Sequence, residues 1–289
     1  MAEKIDAKLV LPFLPERDNN SNKGTFGKIL NIAGSMQFSG AAFLSSKSAL
    51  RIGAGYVSLA CPDEIISRIA PVLPEITYCP LKSSIDGSIS SENVISDLHN
   101  YDVLSIGCGL TTNVDTQKFL ISLINQVNSR QKLVIDADGI NILALHRNEL
   151  SLKNSIITPH PKELSRLLNV SLAEVNDNRE KYARITSQTF ECITVLKGHN
   201  TIVTNGDKIY TNTTGNSALA KAGTGDVLTG IIAGLLSQKV PSYQAAMLGV
   251  YLHGLAGDIA SEDYTMYSVL ASDVIEYIPF ALAELLDNE

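Results

Sequence analysis

The chain has 289 residues, of which 45% are hydrophobic and 18% are charged, a balance that excludes a disordered or collagen-like protein. The formal net charge is −7 and the sequence contains no basic tract, so a nucleic-acid partner is not expected. No stretch reaches the roughly 18 consecutive apolar residues that a membrane helix needs, so we expect no membrane partner either.

Short β-rich runs that end in Gly, Asp or Pro alternate along the chain with segments of helical periodicity. This alternation predicts an α/β fold, in which helices cover both faces of a mostly parallel central sheet. The predicted parallel strands are Lys28–Ala33, Val57–Ala60, Ile76–Leu81, Val103–Gly107, Leu133–Asp136, Ser155–Thr158 and Thr194–Lys197. The helices predicted between them are Ala41–Ile52, Glu92–Leu98, Asp115–Val127, Ile140–Leu145, Lys162–Leu168 and Arg179–Phe190.

The pattern changes near residue 200, where two short β-rich runs, Thr201–Thr204 and Lys208–Tyr210, flank Asn205-Gly206. This pair tolerates a left-handed backbone and suits a tight hairpin, so we expect an antiparallel edge to the sheet. Three helices are predicted to close the chain, at Asp226–Ser237, Ser242–Glu262 and Val269–Leu286. Because no repeat or linker is visible, we predict one domain over residues 1–289, with 1–22 as an N-terminal extension.

Polar or glycine-rich residues directly follow four of the predicted parallel strands. They are Ala33-Gly34-Ser35, Gly107-Cys108-Gly109, Asp136-Ala137-Asp138-Gly139 and Thr158-Pro159-His160-Pro161. Each of these segments alone also fits ordinary turn chemistry. In open parallel sheets, however, ligands bind beyond the carboxyl ends of the strands, so the recurrence predicts a ligand crevice at this edge.

The strongest local signal is the segment Lys221–Asp226, with sequence Lys-Ala-Gly-Thr-Gly-Asp, which leads directly into an apolar helix. Its two glycines allow backbone amides to converge, and the helix N-terminus adds partial positive charge, so the loop suits a phosphate or a transferring phosphoryl group. Asp226 beside that anion suits a base that takes a proton from an attacking hydroxyl. The alternative is that Asp226 only caps the helix.

Other common catalytic motifs are missing from the sequence. It has no G-x-x-x-x-G-K-[ST], and neither Gly53-Ala54-Gly55 nor Gly107-Cys108-Gly109 continues to the third glycine of a dinucleotide fingerprint. G-x-S-x-G and H-E-x-x-H are also missing. Walker-type ATPases, Rossmann dehydrogenases and the commonest hydrolases and zinc proteases are therefore disfavoured.

Five motifs stand in a characteristic order along the chain. They are Gly34-Ser35-x-x-x-Ser39-Gly40-Ala41-Ala42, Asp136-Ala137-Asp138-Gly139-x-Asn141, Thr158-Pro159-His160-x-x-Glu163, Lys197-Gly198-x-x-Thr201 and Ala222-Gly223-x-Gly225-Asp226. In this order the chain resembles the ADP/ATP-dependent NAD(P)H-hydrate dehydratases, over about Lys23 to Asp273. The resemblance implies a ribokinase-like three-layer sandwich. Since only about two dozen residues precede the first motif, the chain looks like the stand-alone form without the epimerase domain.

The resemblance implies a metabolite-repair lyase that dehydrates the S form of hydrated NADH or NADPH and releases AMP or ADP together with phosphate. Asp226 would deprotonate the C6 hydroxyl, and the nucleotide's terminal phosphoryl would pass to that oxygen over the amides of Gly223 to Gly225. The expected cofactors are ADP or ATP as co-substrate and Mg²⁺ on its phosphates, and no protein metal ligand is assigned. A ribokinase-like kinase of a hydroxymethyl heterocycle or sugar, and a catalytically silent nucleotide sensor, are the alternatives.

The resemblance also assigns binding residues. Those matching the nucleotide site are Lys197, Gly198, His199, Asn200, Thr201, Asn216, Gly223, Thr224 and Gly225. Those matching the site of the hydrated cofactor are Ala42, Gly107, Gly109, Thr158, Pro159, His160, Glu163 and Asp226. Where the family usually has Gly-Pro-Gly-Leu-Gly, this chain has Gly107-Cys108-Gly109-Leu110-Thr111. Cys108 lacks the fixed φ of proline, so we expect a more mobile loop and an exposed thiol near the site.

Several further expectations concern single residues and partners. His253 lies in an apolar helical run and is expected to be a core histidine, and Asp273 is expected to begin the final helix. The four cysteines lack zinc or disulfide spacing, so reduced thiols are expected. We expect a cytoplasmic homo-oligomer, a tetramer by resemblance, that works with a separate NAD(P)H-hydrate epimerase.

Overall fold

The computed structural model describes residues 2–147 and 149–287, and strands in this part of the chain form one sheet of ten. The strands are β1 (Glu3–Ile5), β2 (Lys28–Ile32), β3 (Tyr56–Pro62), β4 (Thr77–Leu81), β5 (Val103–Ile106), β6 (Lys132–Ile135), β7 (Ile156–Ile157), β8 (Ile193–Leu196), β9 (Thr201–Thr204) and β10 (Ile209–Asn212). Their order across the sheet is β1-β10-β9-β8-β7-β6-β5-β2-β3-β4. Only β9 runs antiparallel to its neighbours, so the predicted parallel sheet and antiparallel edge are confirmed.

Helices cover both faces of this sheet. They are α1 (Ala7–Val10), α2 (Ser39–Arg51), α3 (Asp63–Ile69), α4 (Val114–Ile124), α5 (Ala137–Leu145), α6 (Pro161–Leu168), α7 (Leu172–Asp177), α8 (Arg179–Phe190), α9 (Thr224–Ser237), α10 (Ser242–Tyr264) and α11 (Ala271–Leu286). Alternate strand residues point to opposite faces, so β5 buries Val103 against the layer of α2, α9, α10 and α11, and Leu104 against the layer of α4 and α5. None of the described helices is both long and apolar enough to span a membrane.

Helix α9 packs unusually close to α2, and this contact positions the N-terminus of α9. A Cβ atom at Gly230 would collide with Ser48, and one at Gly234 would collide with Ile52. The two glycines therefore let the helix backbones approach each other. Nearly every residue of α9 after its first turn is buried, so the first turn is the part of this helix that remains open to a ligand.

The predicted helix at Glu92–Leu98 is wrong. Residues 92–97 form no helix, and only a single 3₁₀ turn follows, at Leu98–Asn100. The side chain of Asn93 explains the difference, because its Oδ1 accepts a hydrogen bond from the amide of Lys82 at 2.8 Å and its Nδ2 donates to the Lys82 carbonyl at 2.9 Å. Side-chain bonds to a distant backbone thus replace the local helical pattern.

The N-terminal segment, predicted as an extension, contributes a strand and a helix to the fold. Strand β1 pairs in parallel with β10, and Ile5 and Val10 are completely or almost completely buried in the core. Sequence periodicity also missed α3 and α7, each of seven residues or fewer. Elements this short span too few turns or alternations for a hydrophobic period to be recognised.

Candidate active site

The site lies at the carboxyl edge of the sheet, where the strand order reverses. From β2 the chain proceeds to β3 and β4 on one side and then returns to β5 on the other, which makes the β2/β5 boundary a topological switch point. The loops after these two strands touch there, because the amide of Gly34 donates to the carbonyl of Cys108 at 2.8 Å. The first turn of α9, with Asp226, lies beside this point, because its carboxylate adjoins the Cys108 thiol.

An ion pair is buried below the first turn of α9. Lys197, just after β8, places Nζ 2.5 Å from Oδ1 of Asp136, just after β6, and 3.9 Å from Oε2 of Glu163 in α6. The hydroxyl of Thr229 donates to the other Asp136 oxygen at 2.8 Å. Burial opposes the charge of Lys197, but Asp136 and Glu163 outweigh it and raise the pKa of the ammonium. Lys197 is therefore a fixed cation.

The carboxylate of Asp226 is more basic than that of an ordinary aspartate. Burial, followed by the charge of Asp136, raises the pKa of Asp226 from 3.8 to about 6, while the thiol of Cys108 and the ammonium of Lys197 partly oppose the shift. The ligand atoms of Cys108, Asp136 and Asp226 lie within 4.8 Å of one another. The carboxylate is thus largely ionised at neutral pH, yet basic enough to accept a proton efficiently.

The N-terminus of α9 faces the cation. Gly223 caps the helix with φ = 93°, a left-handed conformation that glycine adopts without strain. A Cβ atom at Gly225 would lie 3.4 Å from Nζ of Lys197. The N–H groups of Gly225 and Asp226 belong to the donors that any helix N-terminus leaves without an intrahelical partner. The unpaired amides, the positive end of the helix dipole and the ammonium thus lie close together, an arrangement that suits an anion.

A cavity of about 470 Å³ opens beside this anion site. Its lining includes eight of the nine residues predicted to hold a nucleotide, namely Lys197, Gly198, His199, Asn200, Thr201, Asn216, Thr224 and Gly225. Gly223 is not part of the lining and acts as the helix cap. Leu219, Leu228 and Val250 add an apolar wall. The cavity therefore combines an anion-binding end with an apolar end.

The turn after β8 is held in place by Arg179. Its guanidinium donates to the carbonyl of His199 at 2.5 Å and to the carbonyls of Leu196 and Lys197 at 3.2 Å each. Gly198, with φ = 134°, makes the sharp bend between these carbonyls. Arg179 thus fixes one rim of the cavity, a role that the sequence did not indicate because the residue lies in an otherwise polar helix.

His160 and Glu163 form a reciprocal cap on α6. Nδ1 of His160 accepts from the amides of Lys162 and Glu163 at 3.1 and 3.2 Å, and Oε2 of Glu163 accepts from the amide of His160 at 2.8 Å. Nε2 then carries the proton and lies 3.3 Å from Oε1 of Glu163. Burial and the charge of Lys197 lower the pKa of His160, so the imidazole is neutral at pH 7. Burial raises the pKa of Glu163 to about 7.

Most of the other residues predicted to contact the hydrated cofactor are buried. Ala42 and Thr158 are fully buried, and the carbonyl of Pro159, also buried, accepts from the amide of Lys197 at 2.9 Å. Gly107 has φ = 128°, and a Cβ atom there would collide with the Asp136 carbonyl. Gly109 packs on Phe38 and remains partly exposed. Among these glycines, Gly109 is the one with open surface for a ligand.

One expectation from the sequence needs correction. Cys108 is only 1% exposed rather than open to solvent, and burial raises the pKa of its thiol well above the usual range. Its loop is tied to the neighbouring strand end by the hydrogen bond from Gly34. His253 is buried as expected, but it also lines the cavity and donates from Nε2 to the carbonyl of Thr224 at 2.9 Å.

Comparison with known proteins identifies relatives with the same architecture. A family model described as NAD(P)H-hydrate dehydratase matches residues 29–280. The ADP-dependent (S)-NAD(P)H-hydrate dehydratase of Neisseria meningitidis is 35% identical over 252 residues, 85% of this chain and 81% of the relative. The ADP/ATP-dependent NAD(P)H-hydrate dehydratase of Bacillus subtilis, co-crystallised with ATP and Mg²⁺, superposes with a TM-score of 0.85 at 30% identity, covering 98% of this chain and 99% of that one.

Two further comparisons concern fold and length. A ribokinase-like superfamily protein from Enterococcus faecalis superposes with a TM-score of 0.87 at 26% identity, covering 98% of this chain and 96% of that one. The predicted ribokinase-like fold is therefore confirmed. The chain spans about half the length, 52 to 55%, of curated relatives that are bifunctional NAD(P)H-hydrate repair enzymes.

Proposed function

The chain belongs to the NAD(P)H-hydrate dehydratase family, and from that premise we propose that it dehydrates the S form of hydrated NADH or NADPH at the expense of a nucleotide. The observation that carries the proposal is Asp226, a base with a pKa of about 6 at the mouth of an anion site. A protein that only sensed nucleotides would have no need of such a base there. We propose ADP as the donor, as in the name of the Neisseria relative.

The proposed chemistry solves a leaving-group problem, because hydroxide departs poorly from C6 of the hydrated ring whereas phosphate departs readily. Asp226 accepts the proton of the C6 hydroxyl while that oxygen bonds to the terminal phosphorus of ADP, and the bond from phosphorus to the AMP oxygen breaks. The lone pair of the ring nitrogen then expels phosphate from C6. Loss of a proton from C5 restores the reduced nicotinamide, so the products are NAD(P)H, AMP and phosphate.

The anion site supplies the electrostatic part of this step. Charge spreads over the equatorial oxygens of a transferring phosphoryl group, and fixed donors aimed at those oxygens lower the barrier. The amides of Gly225 and Asp226 and the ammonium of Lys197 are such donors, since Asp136 holds the ammonium at 2.5 Å. Because the ion pair is already formed, these groups need little reorganisation during the reaction.

The remaining predicted residues divide between the two substrates. We propose that the turn Lys197–Thr201 and the segment Asn216–Gly225 hold the nucleotide, with its base toward the apolar wall of the cavity. Gly109, His160 and Glu163 would border the hydrated nicotinamide dinucleotide, because none of them lines the cavity and Oε2 of Glu163 lies 3.9 Å from Nζ of Lys197. Ala42, Gly107, Thr158 and Pro159 would shape the floor beneath it.

We propose that Mg²⁺ enters the site bound to the nucleotide and is not held permanently by protein side chains. Cys108, Asp136 and Asp226 are close enough to share an ion, but a thiol is a poor ligand for Mg²⁺. Lys197 also already neutralises Asp136 at 2.5 Å. The donor set therefore does not suit a permanent Mg²⁺ site, and phosphate oxygens and water would be its ligands.

The proposed function is tested by incubating the purified protein with hydrated NADH, Mg²⁺ and either ADP or ATP. Recovery of reduced-nicotinamide absorbance together with phosphate release is expected, faster with ADP. Asp226→Asn should lower turnover by about 1,000-fold or more while nucleotide affinity changes little. Asp263→Asn, which alters a carboxylate on the far end of α10, is the control.

Two results would contradict the proposal. Accumulation of a stable phosphorylated compound, without recovery of the reduced ring, would favour a small-molecule kinase instead. Unchanged turnover of the Asp226→Asn variant would show that Asp226 is not the base.

The proposal also includes a cytoplasmic location and a homotetramer. It further includes cooperation with an epimerase that supplies the S form, since hydration at C6 produces two epimers.

A further inference from the structure

Helix α10 carries polar side chains that bond to the segment lining the nucleotide cavity. His253, Gly254, Gly257, Asp258 and Ser261 follow one another at intervals of one or three residues and lie on one face of this helix. Gly254 packs directly on Thr214, and Gly257 packs on Leu219, because a Cβ atom at either glycine would collide with these residues. The segment 214–224, one wall of the cavity, therefore lies directly on α10.

Asp258 forms two hydrogen bonds to this wall. Its Oδ2 accepts from the amide of Gly215 at 2.7 Å, and its Oδ1 accepts from Nδ2 of Asn216 at 2.8 Å. Nδ2 of Asn216 also reaches Oγ of Ser261 at 2.8 Å, and Oδ1 of Asn216 accepts from the amide of Ala218 at 2.8 Å. The amide side chain of Asn216 is thus occupied by the protein itself.

This arrangement changes the role expected for Asn216. The resemblance predicted that Asn216 binds the nucleotide, and its position in the cavity lining is consistent with a contact through the backbone. Its side chain, however, caps the 3₁₀ turn Ser217–Leu219 and bonds to α10. The shape of the wall then depends on the pairing between Asn216 and Asp258.

The other end of the same wall is attached to the same helix. His253 donates from Nε2 to the carbonyl of Thr224, the first residue of α9. Burial lowers the pKa of His253 to about 4, so the imidazole stays neutral and keeps this single donor over the physiological range. One rigid helix thus holds the wall both at Gly215 and at the anion site.

We infer that Asp258 is a positioning residue, which sets the nucleotide-binding wall by accepting hydrogen bonds from Gly215 and Asn216. The inference rests on the proposed nucleotide site but not on the dehydration chemistry. Asp258 touches neither reacting group, so its loss should weaken nucleotide binding while leaving the chemical step intact. The affinity for the hydrated dinucleotide, whose proposed binding residues lie outside the cavity lining, should be unchanged.

The test exchanges the side chains of Asp258 and Asn216, first singly and then together. In Asp258→Asn an amide N–H₂ faces one of the two donors, and in Asn216→Asp two carboxylates face each other. In the double variant the new amide at position 258 can donate to the new carboxylate at position 216 and accept from Gly215, while that carboxylate still caps Ala218. We expect each single variant to bind Mg·ADP and Mg·ATP about tenfold or more weakly by calorimetry, and the double variant to recover most of the loss. Asp263→Asn, on the same helix, is the control.

The outcomes separate this inference from the proposed function. Recovery in the double variant, with KM for nucleotide raised and kcat nearly constant in the singles, supports a positioning role even if the reaction proves to be a different phosphoryl transfer. Unchanged affinity in Asp258→Asn overturns the inference, even if the wild type restores reduced cofactor. Failure of the exchange to restore affinity also overturns it, and indicates that Asn216 contacts the nucleotide directly. A wild type that binds neither nucleotide would overturn it as well.

Discussion

At the scale of single residues, the site is a set of ionisable groups whose charges are adjusted by their neighbours. Asp136 acts on two of these groups, because it stabilises the charge of Lys197 and opposes the charge of Asp226. A carboxylate whose pKa is raised by burial and by a neighbouring charge is typical of acid–base catalysis. The same arrangement has measurable consequences for pH dependence and for stability.

Turnover should depend on the ionisation of Asp226. The base works only when deprotonated, so kcat/KM should rise with pH through about 6, the pKa of Asp226, and level off above it. A pH–rate profile with hydrated NADH and saturating ADP measures this. A profile that stays flat between pH 5 and about 8 would contradict the assignment.

The raised pKa of Asp226 also predicts a cost in stability. The folded-state pKa of about 6 exceeds the usual 3.8, so the stability contribution of this group is full below about 3.8 and is lost as the pH rises through 6. Asp226→Asn should therefore raise the free energy of unfolding at pH 7 by roughly 2–3 kcal/mol. Near pH 3.5 the difference should disappear.

Urea denaturation at both pH values measures this effect, with the exposed Asp207→Asn as control. An Asp226→Asn variant that is less stable than the wild type at pH 7 would be inconsistent with a buried, disfavoured charge. Together with the loss of turnover, the expected gain would identify Asp226 as a residue at which stability is sacrificed for activity.

At the scale of elements, two glycines at the N-terminus of α9 have different roles. Gly223 provides the left-handed cap that begins the helix, and a Cβ atom there would lie 2.6 Å from Leu44 Cδ1. Gly225 has ordinary helical geometry, and a Cβ atom there would meet only the Lys197–Asp136 pair, at 3.4 Å or more. The first glycine is needed by the fold and the second by the ligand.

Alanine substitutions should separate these roles. Gly225→Ala should leave the free energy of unfolding unchanged or higher by up to about 1 kcal/mol, because alanine favours helix. Its methyl group should block the anion site and weaken Mg·ADP binding about tenfold or more. Gly223→Ala should instead lower the free energy of unfolding by roughly 1–3 kcal/mol through backbone strain and the Leu44 contact. Denaturation and calorimetry on both variants check this, and equal effects of the two would argue against the division.

At the scale of the whole molecule, the sheet brings together groups that are distant in the chain. Asp136, Glu163, Lys197 and Asp226 belong to different parts of the chain, yet β6, β7 and β8 are neighbours in the sheet and α9 packs on β2, β5 and β6. The N-terminal strand β1 forms the edge of the sheet beyond β10, with which it pairs. The strand that comes first in the sequence thus pairs with one from the last third of the chain.

Shortening one side chain in β1 tests whether this edge of the sheet stabilises the whole fold. Ile5 is 1% exposed, and Ile5→Ala should lower the free energy of unfolding by about 2–4 kcal/mol by leaving a cavity. Ile85→Ala, at a fully exposed isoleucine, is the matched control and should change little. Thermal or urea unfolding measures both. An effect of Ile5→Ala no larger than that of the control would mean that β1 is dispensable for the core.

The alternation of strands and helices was sufficient to predict the α/β class, and Asn205-Gly206 was sufficient to predict the antiparallel edge. These depend on local hydrophobic periods and on glycine geometry, which a sequence displays directly. The predicted helix at Glu92–Leu98 failed because Asn93 bonds to the distant Lys82. A local pattern contains no information about such a partner.

The sequence by itself determined the class of fold, the antiparallel edge of the sheet and the residue types available for chemistry. Only the tertiary structure decided that Lys197 pairs with Asp136, that Asp226 becomes a stronger base, and that Asp258 and His253 support the cavity. The physical reason is that pKa values and hydrogen-bond partners depend on burial and on charges within a few ångströms, and these neighbours come from segments many residues apart.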